Sequence, residues 1–207
     1  MIRYLYLISP SKVNKKFYRN LKEVLSTKKV KYFQLRLKQY PYSKVVRIGK
    51  KVRKITKNYK VKLIINDSAI LAKKINADGC HLGQSDGSIK AAKKLLGKKK
   101  IIGITCHGSK RLILKAIKDK INYIALGSFF KSKLKPDAKR AQKQIVKWTK
   151  KRTNLPIVAI GGVNNKNFQS LMKLGVNYLA LSSYIWNNPR LKPYTAIKKF
   201  NLNENTR

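Results

Sequence analysis

Short apolar runs alternate with longer stretches of helical spacing from one end of the chain to the other. The runs that predict strands are Tyr4–Ser9, Lys31–Leu37, Lys62–Ile65, Gly79–Leu82, Lys100–Cys106, Tyr123–Leu126, Ile157–Ile160 and Tyr178–Ser182. Helices are expected at 13–26, 43–57, 68–76, 87–96, 109–119, 137–151, 165–173 and 190–199. In the stretch 137–151, Ala138, Ala141, Ile145 and Trp148 recur at the spacing of one helix face. Strands that alternate with helices at this pace imply βαβ units and a parallel sheet. Eight such units in 207 residues predict an α/β fold, a single (β/α)8 TIM barrel over residues 1–200, with 201–207 as a polar C-terminal tail. The alternative, an open doubly wound sheet, normally carries G-x-G-x-x-G after its first strand; Ser9-Pro10-Ser11 stands there instead.

In a barrel, chemistry sits on the loops at the C-terminal ends of the strands. The third and fourth strands end in Asn66-Asp67 and in Gly83-Gln84 followed by Asp86. The chain has 7 acidic residues against 50 basic ones, and three of the acids, Asp67, Asp78 and Asp86, lie between 62 and 86. Carboxylates on neighbouring loops can hold one Mg²⁺, which shares its remaining ligands with a substrate's phosphates. The competing explanation is that Asp67 and Asp86 cap helices beginning at Ser68 and Gly87.

Period-two alternation in the second strand sets Gln34, Arg36 and Lys38 on one face and Phe33, Leu35 and Leu37 on the other. The apolar face belongs under the helices, so the polar one should point into the barrel. Two cations beside a metal site would clamp a pyrophosphate; a solvated edge strand is the alternative. The fifth strand ends Thr105-Cys106-His107, where hydroxyl and imidazole could donate to a substrate, although a histidine there is as readily structural. The basic loop 127–135 after the sixth strand is long enough to fold over a ligand. Gly161-Gly162 after the seventh strand and Ser182-Ser183 after the eighth match a phosphate site built from backbone N–H groups. Two anion sites result, one metal-assisted and one made of backbone and hydroxyls.

A net charge of +43 would draw polyanions, but the lysines run through every expected helix. That spread argues against a specific nucleic-acid partner, and no RNA-recognition or helix-turn-helix motif occurs. No apolar run approaches the ~20 residues of a membrane span, and the N-terminus lacks a cleavage site, so a cytoplasmic protein with no membrane partner is expected. Cys80 and Cys106 lie in apolar runs without metal-site spacing and are expected to be free, buried thiols. Small phosphorylated molecules are the partners this pattern favours; the oligomeric state is not legible.

The segments YLYLIS (4–9), QLRLK (34–38), IIND (64–67), ADGCHLGQSD (77–86), IIGITCH (101–107), ALGSFFKSKLK (125–135), VAIGGV (158–163) and LSSYI (181–185) together resemble the thiamine phosphate synthase family. The resemblance implies a transferase that joins a hydroxymethylpyrimidine pyrophosphate to hydroxyethylthiazole phosphate, releasing pyrophosphate through a dissociative, Mg²⁺-assisted step. It also implies that Asp67 and Asp86 carry the metal. Arg36, Lys38, Asn66 and Lys135 would bind pyrophosphate, and Gln34 and Thr105 would meet the pyrimidine. Gly162 and the Ser182–Ser183 backbone, helped by Ser132, would bind the thiazole phosphate. Arg36, Lys38, Lys135 and Thr105 would form the catalytic set. The chain departs from the family pattern at Ser68, where Arg is usual, at Ser128 for Pro, at Leu134 for Thr and at Thr105 for Ser. Two alternatives are a related thiazole tautomerase with His107 as base, and a weakened barrel that only binds phosphorylated ligands or RNA. The tautomerase needs neither Mg²⁺ nor a pyrophosphate clamp, so Asp67, Asp86, Arg36 and Lys38 argue against it, while Leu134, Ser128 and the charge of +43 keep the weakened barrel open.

Overall fold

The computed structural model describes residues 4–131 and 139–202. Eight parallel strands close into a barrel in chain order: β1 (Tyr4–Ile8), β2 (Val30–Leu35), β3 (Lys62–Asn66), β4 (Gly79–Leu82), β5 (Ile101–His107), β6 (Tyr123–Leu126), β7 (Ile157–Ala159) and β8 (Tyr178–Leu181). Around them lie α1 (Lys15–Ser26), α2 (Tyr42–Asn58), α3 (Ala69–Ile75), α4 (Ile89–Leu96), α5 (Lys110–Lys118), α6 (Gln144–Lys150), α7 (Phe168–Met172), α8 (Ser183–Trp186) and α9 (Pro193–Lys198). The expected TIM barrel is therefore the observed fold. No helix among the described residues is long and apolar enough to cross a membrane.

Local chemistry explains where helices begin. Asn14, Ser68, Ser88 and Ser109 each accept a backbone N–H from three residues on, satisfying a donor that the first helical turn leaves open.

Three of the departures from the sequence expectation bear on the strand ends and the loops beside them. β2 stops at Leu35 because the Arg36 N–H turns to the Ser9 hydroxyl, at 2.9 Å, so Arg36 and Lys38 project from a loop. α6 starts at Gln144, well inside the expected 137–151; the Ala141 N–H is held by the Ser128 carbonyl at 2.9 Å, which keeps that segment out of helical phase. Ala138 lies outside the described residues. The expected helix 190–199 is α9, which begins at Pro193, and a one-turn helix that the sequence did not foretell, α8, follows β8 directly.

Two cores follow from the alternation of strand side chains. Phe33, Leu35 and Leu37 join the shell between barrel and helices. Inside the barrel, Tyr6, Tyr123, Ala125, Val158 and Ala180 pack with Tyr32 and Tyr178. Gly103 on β5 makes room for this filling: a Cβ there would stand 1.9 Å from the Tyr123 ring. Cys80 and Cys106 are free and buried, and burial pushes both thiols up to about 12, so they act as small apolar groups.

Candidate active site

The C-terminal ends of the strands surround a cavity of about 390 Å³. Its walls include Gln34, Arg36, Lys38, Asn66, Asp67, Asp86 and Thr105, seven of the residues singled out from the sequence.

The carboxylates are not helix caps. Ser68 caps α3 and Ser88 caps α4, which leaves Asp67 and Asp86 for the cavity. Asp67 has φ 62°, a left-handed conformation uncommon for a residue with a Cβ, and donates its N–H to the His81 carbonyl at 2.7 Å. The two carboxyls lie within hydrogen-bonding reach of one another. Lys38 Nζ stands 2.7 Å from Asp67 Oδ2, and the Gly83 N–H donates to Asp86 Oδ2 at 2.7 Å. Burial alone would raise the Asp67 carboxyl; hydrogen bonds from Lys38 and Asp86, with the charges of Lys38 and Arg36, override it and hold Asp67 below the usual carboxylate range. Burial first, then the facing Asp67, pushes Asp86 up against the Gly83 N–H that favours its charge. The Lys38 side chain is 53% exposed, so its ion pair is weak and readily exchanged for another anion.

Below the carboxylates runs a chain of neutral groups that spans the barrel. Gln34 Nε2 donates to the Tyr6 hydroxyl at 3.1 Å, and Tyr6 meets the Tyr123 hydroxyl at 2.8 Å. Tyr123 reaches His81 Nδ1 at 2.9 Å, and His81 Nε2 reaches Thr105 Oγ1 at 2.8 Å. The His81 ring also stacks on Tyr123. Burial lowers His81 to about 4, against the opposing charge of Asp67, so its imidazole is neutral at ordinary pH. Sequence reasoning passed over Tyr6, His81 and Tyr123 and dwelt on His107. The signal was present for His81, which alternates with Cys80 and Leu82 and so faces inward with Gly79. His107 ends β5 with φ 53° and also lines the cavity.

A second cavity of about 570 Å³ adjoins the first, sharing Ile8, Ile160 and Gly161 with it. Lys131, Gly162, Asn164, Ser182 and Ser183 line it. Gly162 has φ 63°, and a Cβ there would stand 2.3 Å from the Lys131 carbonyl oxygen, so the loop closes this tightly only with glycine. The Ser182 hydroxyl donates to the Ser9 carbonyl at 3.2 Å. Ser132 and Lys135 lie outside the described residues.

Among the described residues no group of three or more His, Cys, Asp or Glu side chains could hold a metal by itself. The Asp67–Asp86 pair still fits Mg²⁺, a hard cation commonly bound through one or two carboxylates with waters and substrate phosphates filling its shell.

Residues 5–185 match the family model described as thiamine monophosphate synthase. A thiamine-phosphate synthase of Pelagibacter ubique is 50% identical over 198 residues, covering 95% of each chain. One from Erythrobacter litoralis is 38% identical, covering 88% of this chain and 87% of its own. Among solved structures, a thiamine phosphate pyrophosphorylase from Pyrococcus furiosus superposes with a TM-score of 0.83 at 27% identity, covering 95% of this chain and 92% of that one. A closed parallel barrel, acid and basic side chains gathered at its mouth, and similarity that runs almost end to end agree: the chain belongs to the thiamine monophosphate synthase family, transferases of thiamine biosynthesis.

Proposed function

We propose that the two cavities bind the two substrates of one coupling reaction. The first takes 4-amino-2-methyl-5-hydroxymethylpyrimidine pyrophosphate, and the second takes hydroxyethylthiazole phosphate. The bond between the pyrimidine methylene and the pyrophosphate oxygen breaks, its electron pair leaving with pyrophosphate. The thiazole nitrogen lone pair then forms the new carbon–nitrogen bond, giving thiamine phosphate. No proton has to be removed for this step, which suits a site without an activated nucleophile.

The observation that carries this reading is the pair Asp67 and Asp86, released from capping and set beside Arg36 and Lys38. In this reading the two carboxylates hold Mg²⁺, which when bound supplies positive charge to the leaving pyrophosphate. Arg36, Lys38 and Asn66, with Lys135, bind the same group, and Lys38 trades its exposed contact with Asp67 for a phosphate oxygen. Gln34 and Thr105 orient the pyrimidine. Gly162, the Ser182–Ser183 backbone and Ser132 receive the thiazole phosphate. The wall that the cavities share supports a reading in which the thiazole nitrogen is brought up to the reacting carbon and catalysis consists of positioning and charge stabilisation.

The test is to mix the purified protein with both substrates and Mg²⁺ and to follow thiamine phosphate and pyrophosphate. Chelator should abolish turnover. Asp67→Ala and Asp86→Ala should each lower kcat by on the order of a hundredfold while the far-UV spectrum is retained. Absence of product, or full activity of either variant in excess chelator, refutes the proposal.

A further inference from the structure

The hydrogen-bond chain beneath the mouth has a direction, and a single amide sets it. Gln34 donates an N–H to Tyr6. Either hydroxyl of the Tyr6–Tyr123 pair can donate, and so can either partner of the Tyr123–His81 contact. With Gln34 donating to Tyr6, the arrangement that gives each phenol proton an acceptor within the chain runs from Tyr6 to Tyr123 and from Tyr123 to His81 Nδ1. A neutral imidazole bears a proton on one nitrogen only. With Nδ1 accepting, that proton sits on Nε2 and is donated to Thr105 Oγ1. The Thr105 proton is then left for an acceptor inside the cavity that Thr105 lines. Among the described residues no buried side-chain nitrogen or oxygen lacks a partner, so every link is in use. Reversing one link means reversing all of them, with the amide turned over, both phenols rotated and the imidazole in its other tautomer.

We infer that Tyr6, Tyr123 and His81 are positioning residues that fix the mouth in one hydrogen-bonding polarity, in which Gln34 presents its carbonyl oxygen and Thr105 its hydroxyl proton to a bound ring. This polarity selects a nitrogen heteroaromatic that donates from an exocyclic amine and accepts at a ring nitrogen. A ring with an oxo group in place of the amine sets two acceptors face to face at Gln34 and is rejected. That the ring belongs to the pyrimidine pyrophosphate rests on the coupling reaction proposed above; the polarity does not.

The experiment has two arms. The first is ¹⁵N NMR of histidine-labelled protein without substrate; the chain has two histidines, and His107→Asn assigns their signals. Near neutral pH, His81 should show a protonated Nε2 and a bare Nδ1. A proton on Nδ1, an even mixture of tautomers or an imidazolium overturns the inference. The second arm compares the amino and oxo forms of the pyrimidine pyrophosphate as substrates. Tyr123→Phe breaks the chain at its centre and should lower the preference for the amino form in kcat/KM by about tenfold, the scale of one hydrogen bond. The thiazole phosphate KM should stay unchanged. An unaltered preference, or an equal loss for both rings, overturns the positioning role. The wild-type spectrum decides the polarity even if the variant fails to fold. An inactive wild-type protein with the expected tautomer would refute the coupling reaction alone.

Discussion

Asp78 shares a short, acid-rich stretch with Asp67 and Asp86, yet the structure gives it a different task. It precedes β4 and so stands at the opposite end of the barrel from the cavity. Its Oδ2 accepts from the Leu63 N–H at 2.8 Å and from Arg53 of α2, while Lys62 Nζ lies 3.7 Å from Oδ1. Its own N–H and carbonyl join Leu63 and Ile101, so one residue ties together three strands and a helix. The Asp78 and Arg53 side chains are only 14% and 24% exposed, which limits how far water can replace the pair. Asp78→Ala removes two hydrogen bonds to a charged acceptor, each worth about 1.5–3 kcal/mol, and leaves Arg53 without its partner. A net loss of about 3–5 kcal/mol follows. For a chain of this size each kcal/mol moves Tm by about 2–4 °C, so a fall of about 6–20 °C is expected. Asp78→Asn, which keeps one acceptor oxygen, should show a smaller fall. Thermal unfolding followed by circular dichroism gives Tm, and turnover measured well below it gives kcat for folded protein. An unshifted Tm, or a lost kcat in a protein that still unfolds at the wild-type temperature, would refute the assignment of Asp78 to the scaffold.

Arg36→Ala should raise the inhibition constant of pyrophosphate by about ten- to a hundredfold, as expected for a charge-assisted hydrogen bond, and an unchanged constant would remove Arg36 from the anion site. Gly162→Ala forces a Cβ against the Lys131 carbonyl at a left-handed backbone position costing about 1–2 kcal/mol. It should raise the KM for thiazole phosphate and spare that for the pyrimidine pyrophosphate, which steady-state kinetics with each substrate varied in turn will check. His81 is buried neutral, with its pKa lowered to about 4 from 6.5. Its contribution to stability is therefore present above the unfolded value and lost as pH falls from 6.5 towards 4, about 3 kcal/mol in all. Urea unfolding across that range should show a smaller acid loss in His81→Asn than in wild type, and equal losses would sink the claim.

The sequence by itself determined the elements and much of the mouth. Period-two alternation is a local property, so the inward face of Gln34 and the outward face of Phe33, Leu35 and Leu37 were legible before any packing was known. Polar residues at successive strand ends must meet once a parallel barrel closes, which is why Asn66, Asp67, Asp86 and Thr105 could be named in advance. The tertiary structure decided what those residues touch. Ser68 and Ser88 took the capping positions, and only the folded backbone shows that the adjacent carboxylates are free for the cavity. Ala141 left helical phase because its N–H found Ser128 across the chain, an interaction that no local apolar spacing encodes. The pairing of Tyr6 with Tyr123, 117 residues apart, and of Tyr123 with His81, 42 apart, depends on strand register and on the space left by Gly103. A strand's own sequence states which side chains point inward. Which of them meet across the interior is set by the stagger of all the strands at closure, and that stagger is a property of the whole barrel.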